Sequence, residues 1–313
     1  MINNIESIHQ KALTNSNEKN LILTQNKNIN AVIEENLTIS ESDAVDMKPK
    51  TQHFYDFPKY YDKAFTRDVI SDINFFQKCF QLYSDIPVKH VMEPACGPGM
   101  FLEALPKFGY IALGYDLNPA MVEYSKERLR KCGISNMESD AVVGNMKDMI
   151  FETKYDAAFV CINSLGYLRN DEDIISHFKA TGESIKKGGI YIVEISCKCD
   201  DIKNEKKYDD TWYVKENGLE IELTWAVNWY DIENRIRHVD FQMVVEENGQ
   251  KFLVQEAHEL RLWIYDEFNK LAQAGGFELM AVYNQSYDFI PPNTSITGEL
   301  GALFFVLKNV KNR

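Results

Sequence analysis

The apolar positions of the chain change period several times, and those changes divide it. Residues 1–50 spread aliphatic side chains thinly among Asn, Ser, Glu and Lys with no aromatic residue, and read as a solvated tail. Aromatic residues then cluster over His53-Phe54-Tyr55-Asp56-Phe57-Pro58-Lys59-Tyr60-Tyr61-Asp62, where folding begins. Ile73, Phe76, Phe80 and Tyr83 recur at spacings of three and four, which predicts a helix with one apolar face ending before Asp85-Ile86-Pro87.

From residue 88 short apolar runs alternate with helical patterns, the signature of a mostly parallel sheet covered by helices on both faces. A strand over 88–93 leads through a Gly-Pro-Gly turn into a helix carrying Phe101, Leu102, Leu105 and Phe108, which Gly109 closes. A second strand, 110–115, ends at Asp116. Asn118-Pro119 then starts a helix lined by Val122, Ser125, Leu129 and Cys132. Strands over 140–143 and 155–162, a helix over 171–186 and a strand over 190–195 complete this part. Residues 211–264 read as consecutive antiparallel strands, with turns at Glu216-Asn217-Gly218, Asp231-Ile232-Glu233-Asn234 and Glu247-Asn248-Gly249. A helix over 266–274 and two strands, 277–286 and 300–308, return to the earlier pattern. The fold class is therefore α/β, with a core of 51–200 and 266–313 and an antiparallel sheet inserted over 201–265. Trp212, Trp225, Trp229 and Trp263 all fall in that insertion.

Charge narrows the partners. With 47 acidic against 34 basic residues the chain carries −13, and it has no cluster of Lys and Arg. Nucleic acid and anionic membranes are bound through such clusters, so neither is expected as a partner. The cysteines are scattered, and Cys197-Lys198-Cys199 is a poor zinc spacing with no second pair, so no metal is expected. The first residues lack an export signal, and no apolar run nears the ~20 residues of a membrane span. The expected location is the cytoplasm.

The chemistry centres on Val91-Met92-Glu93-Pro94-Ala95-Cys96-Gly97-Pro98-Gly99-Met100-Phe101, a strand, a tight loop and a helix start. Glycines at 97 and 99 let a ligand approach the backbone, and the helix start presents free N–H groups. A dinucleotide fingerprint requires a third glycine, and position 102 is Leu. Glu93 suits a ligand bearing an ammonium and a sulfonium better than a pyrophosphate. Asp116 suits a ribose, because a carboxylate accepts from both hydroxyls of the diol.

Glu93-x-x-x-Gly97-x-Gly99, Gly114-Tyr115-Asp116-Leu117-Asn118-Pro119-x-Met121, Gly144-Asn145-Met146, Tyr155-Asp156-Ala157-Ala158-Phe159 and Lys186-Lys187-Gly188-Gly189 resemble, in order, the motifs of class I S-adenosylmethionine-dependent methyltransferases. The opening Tyr55-Asp56-x-Pro58-x-x-Tyr61-Asp62, the Asn163-Ser164-Leu165-Gly166-Tyr167-Leu168 segment and the inserted sheet resemble the small-molecule branch, which includes sugar and antibiotic N-methyltransferases. The resemblance implies a Rossmann-like sheet and S-adenosylmethionine as donor. It implies that Glu93 anchors the methionyl ammonium, that Ala95, Gly97 and Gly99 line that end, and that Asp116 holds the ribose. Leu117 and Met121 would border the adenine, Asn145 and Met146 would meet its edge, and Tyr61, with Tyr55, would close over the methionine. Many relatives carry Asp where this chain has Asn145.

Methyl transfer from a sulfonium is an in-line displacement, helped most by positioning and water exclusion. Asn163 and Tyr167 follow the fourth strand at the ligand-binding edge and are the first catalytic candidates. His238 and His258 lie in the inserted strands, and His238 joins them as the third. The Asn/Asp-Pro-Pro-Tyr/Phe run of DNA amino-methyltransferases is replaced by Cys161-Ile162-Asn163-Ser164. The expected activity is methylation of a small molecule, nitrogen in preference to oxygen, with the inserted sheet as acceptor lid or homodimer surface. The alternative is a non-catalytic S-adenosylmethionine-binding scaffold.

Overall fold

The structure, a computed structural model, describes residues 52–198, 208–292, 294 and 302–311; the tail reading of 1–50 and Cys199 lie outside them. A 3-10 turn over Phe54–Asp56 and helix α1, Pro58–Ala64, form a strap, with Pro58 at the first helical position where its missing N–H costs nothing. Helix α2, Val69–Tyr83, starts where the Asp68 side chain accepts from the Ser71 N–H. Then follow β1 (His90–Pro94), α3 (Met100–Ala104), β2 (Ile111–Asp116), α4 (Pro119–Lys131), β3 (Ser139–Val143) and β4 (Tyr155–Val160). The expected helix through Phe108 is instead α3 passing into a 3-10 turn over Leu105–Phe108. Pro106 explains the break, since it has no N–H to continue the ladder.

Helix α5, Asp171–Ser184, runs straight into β5, Ile185–Lys198. The inserted sheet is β6 (Tyr208–Glu216), β7 (Leu219–Asp231), β8 (Ile236–Glu247) and β9 (Gln250–Arg261). The chain returns through β10 (Trp263–Ile264), α6 (Tyr265–Ala274), β11 (Phe277–Tyr283) and β12 (Ala302–Asn309).

The main sheet has the order β11-β12-β5-β4-β1-β2-β3, with β10 beside β5. Strands β1 to β5 pair in parallel, and β12 is antiparallel to both β5 and β11. Pleating divides the core: Val91, Ala157 and Phe159 face Ile73, Phe76, Phe101 and Val122, whereas Met92, Ala158 and Val160 face Ile174, Phe178 and Phe268. The order reverses at β1, which lies between β2 and β4, so a ligand crevice opens at its carboxyl end.

In the inserted sheet, Asn217-Gly218 and Asn248-Gly249 all have positive φ and close two-residue hairpins. Its inner face, with Leu223, Phe241 and Met243, packs on the strap, where the Phe54 and Phe241 rings lie 4.1 Å apart. Trp263 departs from expectation. It pairs with Cys197 of β5, is fully buried and packs against Phe268, so it belongs to the main core. Among the described residues no helix is long and apolar enough to cross a membrane.

Candidate active site

Loop 95–99 is shaped by three left-handed residues, Ala95, Gly97 and Gly99. Gly99 must lack a side chain, because its Cβ would lie 2.1 Å from Ser125 Oγ of α4. Gly97 is different: a Cβ there would meet only Tyr61 Cε1, 4.0 Å away, so the backbone is bare towards the crevice and roofed by a tyrosine. Asp116, at the tip of β2, accepts the N–H groups of Gly97 and Asn118, each at 2.9 Å. Asn118 caps α4 by accepting from the Ala120 N–H at 2.7 Å, and its amide donates to Asp56 at 2.8 Å. Strap and loop are also joined through Arg128, which donates to Asp62 at 2.6 Å and to the Pro98 carbonyl at 3.1 Å.

Glu93 is 5% exposed, and its Oε2 has no hydrogen-bond partner among the described residues. Burial, with Asp116 adding, holds its carboxyl well above the usual range, and Arg67 opposes this. Burial likewise raises Asp116, against the two N–H donors. Two crowded carboxyls gain from a ligand that brings positive charge and a diol. Glu93, Asp116 and the bare Gly97 backbone thus fit S-adenosylmethionine.

A second cluster lies under the end of β4. Arg67 donates to both oxygens of Asp72 at 2.8 Å and to Glu194 at 2.8 Å, and Glu194 also accepts the Ile162 N–H at 3.0 Å. Tyr287 donates to Asp72 at 2.7 Å. Burial, followed by Glu194, raises the Cys161 thiol, with Arg67 opposing and Asp72 and Glu93 adding. Glu93 therefore shares a field with this cluster.

A third cluster is aromatic. Tyr55 and Tyr61 rings lie 5.7 Å apart, Tyr55 Oη is 2.5 Å from Tyr167 Oη, and Tyr167 Oη is 3.2 Å from His258 Nδ1. Trp225 stacks on His258 at 5.5 Å and 17°.

Rossmann-like strand order and a glycine loop flanked by Glu93 and Asp116 at the switch point suit the class of S-adenosylmethionine-dependent methyltransferases. Residues 91–189 match the family model described as a methyltransferase domain, so the chain carries that domain. It is 24% identical over 234 residues to the putative methyltransferase YqeM of Bacillus subtilis (strain 168), covering 73% of this chain and 87% of that one. It is 29% identical over 105 residues to the dTDP-3-amino-3,4,6-trideoxy-alpha-D-glucopyranose N,N-dimethyltransferase of Streptomyces venezuelae, covering 33% of this chain and 41% of the other. Among solved structures it is similar to S-adenosylmethionine-bound CalS10, an amino pentose methyltransferase from Micromonospora echinaspora involved in calicheamicin biosynthesis. The TM-score is 0.62 at 15% identity, covering 84% of this chain and 100% of that one.

Glu93, Ala95, Gly97, Gly99, Asp116 and Tyr61 come together around the loop. Leu117 is 68% exposed beside them and Met121 is buried in α4. Asn145 is exposed, and its Oδ1 accepts the Lys147 N–H at 3.0 Å, while the Met146 carbonyl meets His177 Nδ1 at 2.6 Å. Asn163 adopts a left-handed backbone and accepts the Ser196 N–H at 3.1 Å, which ties the post-β4 loop to β5. His238 is not brought to Tyr167. It pairs with Glu259, on the face of the sheet opposite His258, and its ring stacks on Trp229 at 3.5 Å. The Arg67–Asp72–Glu194 cluster escaped sequence reasoning, having no motif and joining residues 127 apart.

Proposed function

We propose that the protein transfers the methyl group of S-adenosylmethionine to the amino group of a small molecule, of which an amino sugar is the model. The observation that carries this reading is the acidity of the crevice: Glu93, Asp116, Asp72 and Glu194 converge on the ends of β1, β2 and β4–β5, with Arg67 as the cation among them. Burial favours the protonated form of Glu93 and Asp116, and a cation beside them draws out their charge, so the crevice suits a cationic donor and an amine arriving as its ammonium. The similarity to an aminosugar N,N-dimethyltransferase supports the same acceptor class.

Glu93 would receive the methionyl ammonium and Asp116 the ribose diol. The donor supplies an electrophilic methyl on a positive sulfur, and the chain's residues bind, orient and exclude water. Tyr61 covers the loop, and Tyr167, on the 3-10 turn over Ser164–Tyr167, faces the acceptor. Asn163 shapes that turn rather than touching the reacting atoms. The inserted sheet forms the acceptor wall through Trp225 and His258.

The test is turnover of methyl-labelled S-adenosylmethionine with dTDP-3-amino-3,4,6-trideoxyglucose and with the analogue bearing hydroxyl at carbon 3. Label in the amine alone is expected; equal label in the hydroxyl analogue would overturn the preference for nitrogen.

A further inference from the structure

Methyl transfer to an amine carries a chemical need. An acidic crevice attracts an ammonium, and an ammonium has no lone pair to attack a methyl group, so a proton must leave before transfer. We propose that Tyr55, Tyr167 and His258 form the route by which it leaves, with His258 as the base at its end; the inference rests on methyl transfer to an amine.

Three elements distant in sequence meet to build this route: the strap, the turn after β4, and β9. Tyr55 Oη and Tyr167 Oη are 2.5 Å apart, and Tyr167 Oη is 3.2 Å from His258 Nδ1. The imidazole is fixed, stacked on Trp225 and met edge-on by Phe241, Tyr55 and Tyr167. His258 is 5% exposed, and its Nε2 has no hydrogen-bond partner among the described residues. The carboxylate facing that nitrogen is Glu256, with Oε2 at 3.9 Å. Glu256 also accepts the Phe54 N–H at 2.8 Å and lies 3.0 Å from His53 Nδ1, whose side chain is 74% exposed. The path therefore reaches solvent.

The electrostatics suit a relay. Burial holds His258 below its ordinary value, Glu256 opposes this and His53 adds to it. Tyr167 is pushed up to about 12, first by burial, with Glu256 raising it and Arg237 and the Tyr55 hydrogen bond lowering it. Tyr55 is raised as well, first by burial and then by Tyr167, Tyr61 and Asp116. Neutral imidazole accepts a proton, while the two phenols hand one on without ending as phenolates.

The step balances. An acceptor N–H bond breaks and its proton goes to Tyr55 Oη; the Tyr55 hydroxyl proton passes to Tyr167 Oη; the Tyr167 hydroxyl proton passes to His258 Nδ1. The products are a neutral amine, two neutral tyrosines and one imidazolium beside Glu256. The freed lone pair then forms the N–C bond as the C–S electron pair leaves with sulfur.

The test uses the full chain, labelled with 15N in histidine and saturated with S-adenosylhomocysteine. At pH 7.5 His258 is expected to be neutral, with its proton on Nε2 and Nδ1 bare, and Tyr167→Phe is expected to shift the Nδ1 signal. A proton on Nδ1 would overturn the route. In kinetics on the dTDP-amino sugar, the wild-type rate should fall on the acid side as His258 protonates. His258→Asn and Tyr167→Phe should each lose roughly a hundredfold in kcat or more and flatten that limb, with donor affinity within about twofold. A curve scaled down but unchanged in shape would mean packing alone and would overturn the proposal. If His258→Asn does not fold, Tyr167→Phe decides. If the sugar is not turned over, the proposed acceptor falls, and the histidine spectrum still decides the route.

Discussion

Asp116 Oδ2 accepts the backbone N–H of Gly97 at 2.9 Å, so the carboxylate at the tip of β2 shapes the loop that follows β1. Replacing Asp116 with Ala removes this bond, the one to Asn118 and the proposed ribose contact together. Hydrogen bonds to a charged group are worth about 1.5–3 kcal/mol each, so donor affinity should fall by roughly a hundredfold or more. Calorimetry with S-adenosylmethionine measures it, and unchanged affinity would remove Asp116 from the site.

Glu93 should oppose stability while serving binding. Its carboxyl is raised in the folded protein, mainly by burial, so the folded state keeps a proton the unfolded chain gives up. Stability therefore declines as pH rises from the ordinary carboxylate range through the raised value. Glu93→Gln stays neutral, so it should gain stability relative to wild type at pH 8, and less at pH 4.5. Its affinity for S-adenosylmethionine should drop by about tenfold to a hundredfold. Thermal melts at the two pH values, with and without donor, read both effects.

The glycines of the loop should separate by role. A Cβ on Gly99 would meet Ser125 Oγ at 2.1 Å and Ser125 Cβ at 2.9 Å, whereas one on Gly97 would meet only Tyr61 Cε1, at an ordinary contact distance of 4.0 Å. Gly99→Ala should cost about 2–4 kcal/mol, combining a clash with left-handed strain, and Gly97→Ala about 1–2 kcal/mol of strain. In the Gly99→Ala/Ser125→Gly double variant the loss should be about 1–2 kcal/mol smaller than the sum of the singles. Denaturant unfolding of the set provides the cycle.

Removing Arg67 should expose the cost of its partners. Asp72 is 1% exposed and Glu194 8%, and both depend on that guanidinium for charge balance. Arg67→Met should destabilise by about 3–5 kcal/mol near neutral pH. The loss should shrink as pH falls, because stranded Asp72, whose carboxyl burial already raises, then takes up a proton. Unfolding midpoints at pH 8 and pH 5 check the sign.

His177 should make the protein acid-sensitive. Burial lowers it from 6.5 to about 4, while its nitrogens meet the Met146 carbonyl and Tyr191 Oη at 2.6 and 2.8 Å. The unfolded chain binds a proton below pH 6.5 that the folded state refuses, so stability is full above that value. It falls by about 1.4 kcal/mol per unit down to about pH 4. In His177→Gln the slope of stability with pH should be shallower across that window.

What the sequence determined by itself is local in origin. The alternation of apolar runs and helical patterns specified the parallel sheet, because backbone groups and apolar faces must both be satisfied within each segment. The two Asn-Gly pairs specified hairpins through their backbone conformation, and Gly97 and Gly99 specified the tight left-handed loop after β1. The tertiary structure decided which residues share a face. By simple alternation Trp225 and Trp229 would point the same way. A bulge between Val227 and Trp229 adds one residue, so Trp225 stays on the inner face with His258 while Trp229 turns outward onto His238. The two histidines are separated by the β8–β9 register, which sets His258 opposite Val239 and His238 opposite Glu259. Trp263 joined the main core for a similar reason: two residues of β10 found β5 after the insertion ended. Pairing across such distances depends on register and on the closure of long chain segments, and neither leaves a periodic mark in the sequence.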